Sequence, residues 1–498
     1  MGEGRLLSVQ EIGKHNTSSD CWLVINGQVW DLTDFLEQHP GGSAIILKYA
    51  GRDATKAYNE VHAPSLVQRN LSPDKLKGVL DQSTVTDDWL KEPATENAQV
   101  AQEDNVKPPL ENLINAHDFE QVASKTLGRK AWAFLYSAAT DLITKEANKS
   151  CFDRIWFRPR VMRNVRKVDT TTTILGVKTT MPLFVSPAAM AKLIHPDGEC
   201  AIARACQNKG IMQGVSNNSS YSIEELVKAA PQNNFFFQLY VSPDREKSAE
   251  LLRLVSSLPQ VKAVHITVDA AWPGKREADE RAKIDASNKA LQVPMSQAKA
   301  KKDKKGGGLG RLMASHIDPG LTWDDIAWAR KHTHLPICLK GIMSADDAIR
   351  AMEAGVDGIL LSNHGGRNLD TSPPSIITLL ELHKRCPEIF DRMEIYVDSG
   401  IRRGTDILKA VALGARAVGM GRSMLFATNY GQEGVEHLID IMRDELETAM
   451  RNVGITSLDE AGPELVHTGD IDHLVPSSRE HPYARKVARR GPQRGSKL

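Results

Sequence analysis

"LLSNHGGRNLD", residues 360–370, runs from an apolar, strand-like stretch straight into a histidine, two glycines and an arginine. Seen alone, a short apolar run closed by Gly-Gly is ordinary punctuation, and a histidine beside it is an ordinary surface residue. Seven further runs change that reading: "MPLFVSPA" from 181, "IMQGVSN" from 211, "FFFQLY" from 235, "AVHITVD" from 263, "PICLKGI" from 336, "EIYVDSG" from 394 and "AVGMGR" from 417. With "GILLSNH" from 358 they make eight β-rich runs separated by helical stretches, which predicts an α/β fold, a (β/α)8 TIM barrel, over an open doubly wound sheet. The C-terminal ends of these runs carry Gln238 and Tyr240, Thr267 and Asp269, Lys340, His364, Asp398, and Gly421-Arg422. Core packing does not require a polar group at nearly every strand end, whereas the active face of a barrel does. His364 and Arg367 are therefore expected to point into a shared mouth.

The rest of the composition narrows the function classes. With 498 residues, 41% hydrophobic and 25% charged, the chain has room for two or three domains around ordinary cores. A formal net charge of +1 offers no field for nucleic acid, and the basic clusters at 298–305 and 484–490 read as solvated loop and tail. Six cysteines, Cys21, Cys151, Cys200, Cys206, Cys338 and Cys386, form no C-x-x-C pair, which argues against a zinc site or a disulfide scaffold. No run of about 18 apolar residues predicts a membrane span, and "MGEGRLLSVQ" shows neither a signal-peptide core nor an Arg-rich presequence. The final Ser-Lys-Leu matches the address read by peroxisomal import. Peroxisomal localisation is the expectation, with the cytoplasm as alternative.

Residues 81–110 are polar, acidic and aperiodic, and read as a linker between a domain at 1–80 and a larger one at 111–498 that ends in a tail. In the small domain, Asn26-Gly27 between two β-type runs is a hairpin signal. "DLTDFLEQHPGG" predicts a helix capped by Thr33 or Asp34 and stopped by Pro40-Gly41-Gly42, with His39 at its end and His62 after a second helical stretch. Either histidine alone reads as a surface or capping residue. Two neutral imidazoles on opposite walls of an apolar crevice suit a six-coordinate haem iron. "DLTDFLEQHPGGSAIILKYAGRDAT" resembles the cytochrome b5 haem domain over about residues 6–80, a small α+β unit. That resemblance implies haem b with His39 and His62 as its axial ligands.

In the large domain, Arg422 and the amides of "DSGIRRGTD" (398–406) suit a phosphate held after the last two strands, and no G-x-G-x-x-G fingerprint competes for a dinucleotide. His364 suits a general base with Asp269 as its partner, Arg276 and Arg367 suit a carboxylate, and Lys340 suits a cofactor ring that becomes anionic on reduction. Plainer readings stand beside these, with Asp269 and Arg276 as a salt bridge and Lys340 as a surface lysine.

"LSNHGGRNLD" resembles the active-site signature of the FMN-dependent 2-hydroxy-acid dehydrogenase/oxidase family, and the similarity extends over about residues 112–460. The resemblance implies His364 as base, Asp269 as its partner, Arg276 and Arg367 on the substrate carboxylate, and Tyr240 on the substrate. For FMN it implies Ser186, Pro187, Ala188, Ala189, Ser216, Gln238, Thr267, Lys340, Asp398, Gly400, Arg402, Gly421 and Arg422. Together with the haem domain it implies oxidation of a small, lactate-like L-2-hydroxy acid. Electrons would then pass to the haem and on to a one-electron acceptor protein such as a cytochrome c. An oxidase that reduces oxygen to peroxide is the alternative, and a homotetramer is the assembly common among such relatives. Two positions depart from the family pattern: Phe134 stands where many members have a substrate-binding tyrosine, with Tyr136 two positions too late to replace it, and Asn218 stands where lactate- and glycolate-using members carry a large apolar residue. Residues 277–318, polar and rich in Gly and Lys, read as a lid-like loop after strand four.

Overall fold

The Asn26-Gly27 turn organises the first sheet. In a computed structural model of the chain, which describes residues 5–36, 38–39, 43–59, 62–64, 66–86, 89, 107–282, 310, 314 and 317–477, five strands form this sheet: β1 (Leu6–Leu7), β2 (Asn16–Thr17), β3 (Asp20–Ile25), β4 (Gln28–Asp31) and β5 (Leu76–Leu80), in the order β1-β5-β4-β3-β2. Ile25 pairs with Gln28 across a two-residue turn in which Asn26 and Gly27 have φ of 52° and 78°. Positive φ at both positions gives the turn a twist that matches the strands. Leu23, Ile25 and Trp30 pack on one face with Ile46, Tyr49 and Val67, while Val24 and Val29 pack on the other with Leu7 and Leu80.

The predicted helix after β4 is a single 3-10 turn, Thr33–Phe35, and its cap is neither Thr33 nor Asp34. Asp31 accepts hydrogen bonds from the Thr33 amide (3.0 Å) and hydroxyl (2.7 Å), so the side chain that holds the turn stands two residues before Thr33. Pro40, Gly41 and Gly42, most of the predicted linker and lid, and the terminal Ser-Lys-Leu lie outside the described residues.

All eight predicted barrel strands are present: β6 (Leu183–Ala188), β7 (Met212–Ser216), β8 (Phe235–Leu239), β9 (Val261–Thr267), β10 (Ile337–Ile342), β11 (Gly358–Leu361), β12 (Glu394–Val397) and β13 (Ala417–Met420), all parallel and closed through β13 to β6. Alternation along each strand divides its side chains between two layers. Phe184, Met212, Phe236, Ala263, Cys338, Leu360, Tyr396 and Ala417 fill the barrel interior, joined by Ile174 from a hairpin. Val185, Val215, Phe237, Val264 and Leu339 belong to the larger apolar cluster that includes the helices. Residues after the last long helix return to the same barrel, where Val466–His467 pairs with Trp156–Phe157.

Asp370, the last residue of the opening stretch, ties the β11 loop to the start of the helix Ile143–Asp153. Its carboxylate accepts from the Thr140 hydroxyl (2.9 Å) and from the amides of Asp141 (3.0 Å), Ile143 (3.3 Å) and Thr144 (2.8 Å). The residue preceding that helix, Leu142, has φ of 65° and no capping side chain, so Asp370 supplies the cap from more than 200 residues away. Asp370→Ala is expected to lower stability by about 2 kcal/mol, the loss of a cap whose donors are left buried. Urea unfolding checks this, and an unchanged midpoint would show that the loop is held by other contacts.

Candidate active site

The side chains at the C-terminal ends of the strands converge on a cavity of about 530 Å³, within the usual range for a cofactor or small-ligand site. Lys340 at the end of β10 is buried, with its Nζ 3.3 Å from the Ser362 hydroxyl. Two residues beyond β9, Asp269 accepts from His364 Nδ1, at 3.1 Å to one oxygen and 3.3 Å to the other. On the other edge of the imidazole, Nε2 lies 3.4 Å from the Tyr240 hydroxyl. From the cavity wall Ser216 donates to the Gln238 amide oxygen (3.1 Å), and behind the wall Gln238 donates to Thr267 (2.9 Å). Three predicted cofactor residues thus form one hydrogen-bonded chain across β7, β8 and β9.

Backbone geometry explains the Gly-Gly. His364, Gly365 and Gly366 all have positive φ (59°, 66° and 75°), a region open to glycine and costly for other residues. A Cβ on Gly366 would lie 2.8 Å from the Lys145 amide nitrogen. His364 is the non-glycine member of the run, held there by its backbone bond to the Ser362 hydroxyl (3.1 Å) and by Asp269.

Electrostatics assign the proton positions. Burial raises the Asp269 carboxyl, but the neighbouring His364 and Lys340 outweigh it and hold the group below its ordinary value. Burial, together with Lys340, pushes the His364 imidazole below 6.5, against the pull of Asp269. An ionised Asp269 can only accept, so Nδ1 carries the proton and Nε2 presents a lone pair to the cavity. The predicted alternative, a salt bridge between Asp269 and Arg276, is not formed: Arg276 Nε donates to the Arg367 carbonyl (3.2 Å).

Cations outnumber their partners here. Arg367 is depressed well below its ordinary value by burial and by Arg276 and Arg422. Arg422 is lowered to about 10, by burial first and then by Arg402 and Arg276. Arg367 Nη1 donates to the carbonyls of Phe134 (2.9 Å), Leu135 (3.2 Å) and Ser137 (3.1 Å). Arg422 shares two of these acceptors and adds Gly365 (2.9 Å). Arg402 pairs with Glu120. Buried guanidiniums that weaken one another's charge mark a cavity short of negative charge, which fits an anionic cofactor phosphate and an anionic substrate.

Ser186, Pro187, Ala188, Ala189, Ser216, Lys340, Asp398, Gly400, Arg402, Gly421 and Arg422 line the cavity together with His364, Arg276, Arg367 and Tyr240, whereas Gln238, Thr267 and Asp269 stand behind the wall. Phe134 lines it too, its ring 5.1 Å from the Arg367 guanidinium. Tyr136 stacks on Trp132 under the Lys145 ammonium. Sequence reasoning did not find Asn148 and Asn363, whose amides pair reciprocally at 2.9 and 2.6 Å. No local pattern announces a contact between residues so far apart in the chain.

In the small domain His39 and His62 are 7% and 5% exposed, beside Phe35 and Tyr58 respectively. The Tyr58 hydroxyl donates to the Ala63 carbonyl (3.2 Å) and accepts from the Val67 amide (2.7 Å), which pins the loop carrying His62. No cluster of three or more metal-ligating side chains exists among the described residues. Two buried imidazoles suit a metal whose other ligands come from a macrocycle. Lys192, on the loop after β6, donates to the His62 carbonyl and joins this loop to the barrel mouth.

Residues 123–468 match the family described as FMN-dependent dehydrogenase, and residues 8–81 match the Cytochrome b5-like Heme/Steroid binding domain. The chain belongs to the FMN-dependent dehydrogenase family, as an oxidoreductase that uses FMN and haem. It is similar to the L-lactate dehydrogenase (cytochrome) of Saccharomyces cerevisiae, 41% identical over 478 residues, 92% of this chain and 79% of that one. The 2-Hydroxyacid oxidase 2 of Bos taurus is 38% identical over 355 residues, 71% of this chain and 98% of its own. A solved structure of the recombinant flavin-binding domain of baker's yeast flavocytochrome b2 aligns with a TM-score of 0.66 at 40% identity, covering 75% of this chain and 91% of that one.

Proposed function

We propose that the chain oxidises an L-2-hydroxy acid of the lactate type to the 2-oxo acid and passes the electrons, through its haem domain, to a one-electron acceptor protein such as a cytochrome c. The observation that carries this reading is His364, which lines the same cavity as Arg276 and Arg367 and is backed at 3.1 Å by Asp269 behind the wall. Bound there, FMN supplies a two-electron acceptor, and haem held by His39 and His62 supplies a one-electron carrier. Ser186–Ala189, Ser216, Gln238, Thr267, Lys340, Asp398, Gly400, Arg402, Gly421 and Arg422 would hold the FMN.

The chain's own groups do the rest. Arg276 and Arg367 hold the substrate carboxylate, and Tyr240 orients the substrate beside His364. His364 Nε2 takes a proton from the substrate, and Asp269 stabilises the imidazolium that results. The substrate loses two electrons and two protons in becoming the 2-oxo acid.

Because the His364 imidazole is held below 6.5, it stays neutral and able to accept a proton until the pH falls beneath that value. The acid limb of kcat/KM is expected to have its midpoint below 6.5, measured by anaerobic flavin bleaching across pH. A midpoint above 6.5 would mean that Asp269 outweighs burial and Lys340.

The test is the absorption spectrum of the purified protein under anaerobic conditions, before and after adding L- and D-2-hydroxy acids, with rapid mixing to time each cofactor. Flavin bleaching followed by the reduced bands of haem is expected. Bleached flavin with haem left oxidised would favour the oxidase reading, suggested by the Bos taurus relative, in which oxygen takes the electrons.

A further inference from the structure

The short helix Glu277–Arg281, which follows Arg276 directly, is fastened to the helix Arg129–Tyr136 by a buried ion pair. Lys130 Nζ donates to the Asp279 backbone carbonyl (2.5 Å) and lies 2.7 Å from Asp279 Oδ1, and the two side chains are 2% and 1% exposed. The other carboxylate oxygen of Asp279 accepts from the Gly310 amide (3.0 Å). Gly310 is packed against Arg276 as well, since a Cβ there would lie 2.6 Å from Arg276 Nη1. Asp279 and Arg276 therefore abut the same glycine, one helical turn apart, where the Glu280 amide donates to the Arg276 carbonyl (2.9 Å).

Two charges taken out of water are costly, and an apolar pair of like volume often serves stability as well, so a buried ion pair directs attention to its neighbours. Burial lowers Arg276 and Arg367, and the Asp279 charge opposes it at both. Asp279 is thus a carboxylate placed behind the two arginines of the cavity. Yet Arg276 pairs with no carboxylate among the described residues: its Nε donates to the Arg367 carbonyl, and the residue lines the cavity. The groups that hold Asp279 on its own side are the Lys130 ammonium and the Gly310 amide.

We propose that Lys130 is a positioning residue for the substrate carboxylate. By engaging Asp279 it fixes the turn that carries Arg276 and leaves that guanidinium open to an anion from the cavity. With Lys130 uncharged, the buried Asp279 carboxylate would retain one amide donor and turn toward Arg276, taking the place of the substrate. The inference rests on the reaction proposed above and extends it to Lys130 and Asp279, neither of which lines the cavity.

The test compares the full-length protein, loaded with FMN and haem, with Lys130→Met, which keeps an unbranched side chain and removes its charge. Pyruvate binding, read from perturbation of the oxidised flavin spectrum, is expected to weaken about tenfold in the variant, the scale of one hydrogen bond to a charged group. Most of the loss in kcat/KM for L-lactate is expected in KM. Adding Asp279→Asn removes the competing charge and keeps an acceptor for the Gly310 amide, so pyruvate binding should return to within about threefold of the unmodified protein. A pair that only stabilises the fold predicts that the double variant binds pyruvate no better than Lys130→Met. That result, or unchanged pyruvate binding in flavin-loaded Lys130→Met, overturns the inference while the 2-hydroxy-acid reading stands. Lys130→Gln, which keeps a donor for the Asp279 carbonyl, gives the same comparison where Lys130→Met does not hold FMN. If no 2-hydroxy acid bleaches the flavin of the unmodified protein, the reaction reading fails and the inference falls with it.

Discussion

His364→Gln is expected to reduce the rate of flavin reduction by a 2-hydroxy acid about a thousandfold or more, the usual scale for removing a positioned general base. Glutamine keeps the approximate volume, and its amide can still donate to Asp269. What it lacks is a nitrogen that can take a proton, because an amide is not basic near neutral pH. The predicted cofactor residues are untouched, so both cofactor spectra should match those of the unmodified protein before substrate is added. Asp269 would lose the imidazole that, with Lys340, helps hold its carboxyl down, but it remains two residues beyond β9. Retained flavin bleaching in a variant loaded with both cofactors would remove His364 from the proposed role and leave the arginine cluster as a binding site without a base.

His39→Ala is expected to separate the two halves of the reaction. Without one of two axial imidazoles the haem should be lost or bound at least about 100-fold more weakly, since even changes to groups behind metal ligands cost tenfold to a hundredfold. Flavin bleaching by substrate should continue, because among the described residues none that lines the cavity comes from the first 86 residues of the chain. Reduction of cytochrome c should fall with the haem content, while an artificial acceptor that draws on the flavin directly should still support turnover. The haem Soret band and the two acceptor rates are read on one sample. A variant with full haem content and undiminished cytochrome c reduction would show that His39 is no ligand. Loss of flavin bleaching as well would mean that the small domain is needed to shape the barrel mouth, a role that the Lys192 bond to the His62 carbonyl makes physically accessible.

Both predictions begin from features that local sequence carries. Eight apolar runs of strand length, each closed by a polar or glycine residue, determine a closed parallel barrel because period-two burial and chain punctuation act over a few residues. Asn26-Gly27 determines its hairpin in the same way, and a polar group at the end of each run is enough to locate the mouth. Other features depend on barrel closure. Asp370 capping a helix that starts at residue 143, and Arg367 and Arg422 sharing the carbonyls of Leu135 and Ser137, join segments more than 200 residues apart. Asn218 shows the division most clearly. The sequence marks it as polar where lactate- and glycolate-using members of the resembled family are apolar, but only the packed loop leaves its carbonyl oxygen buried and, among the described residues, without a donor, because satisfaction of a hydrogen-bonding group depends on every neighbour in space and not on those adjacent in the chain.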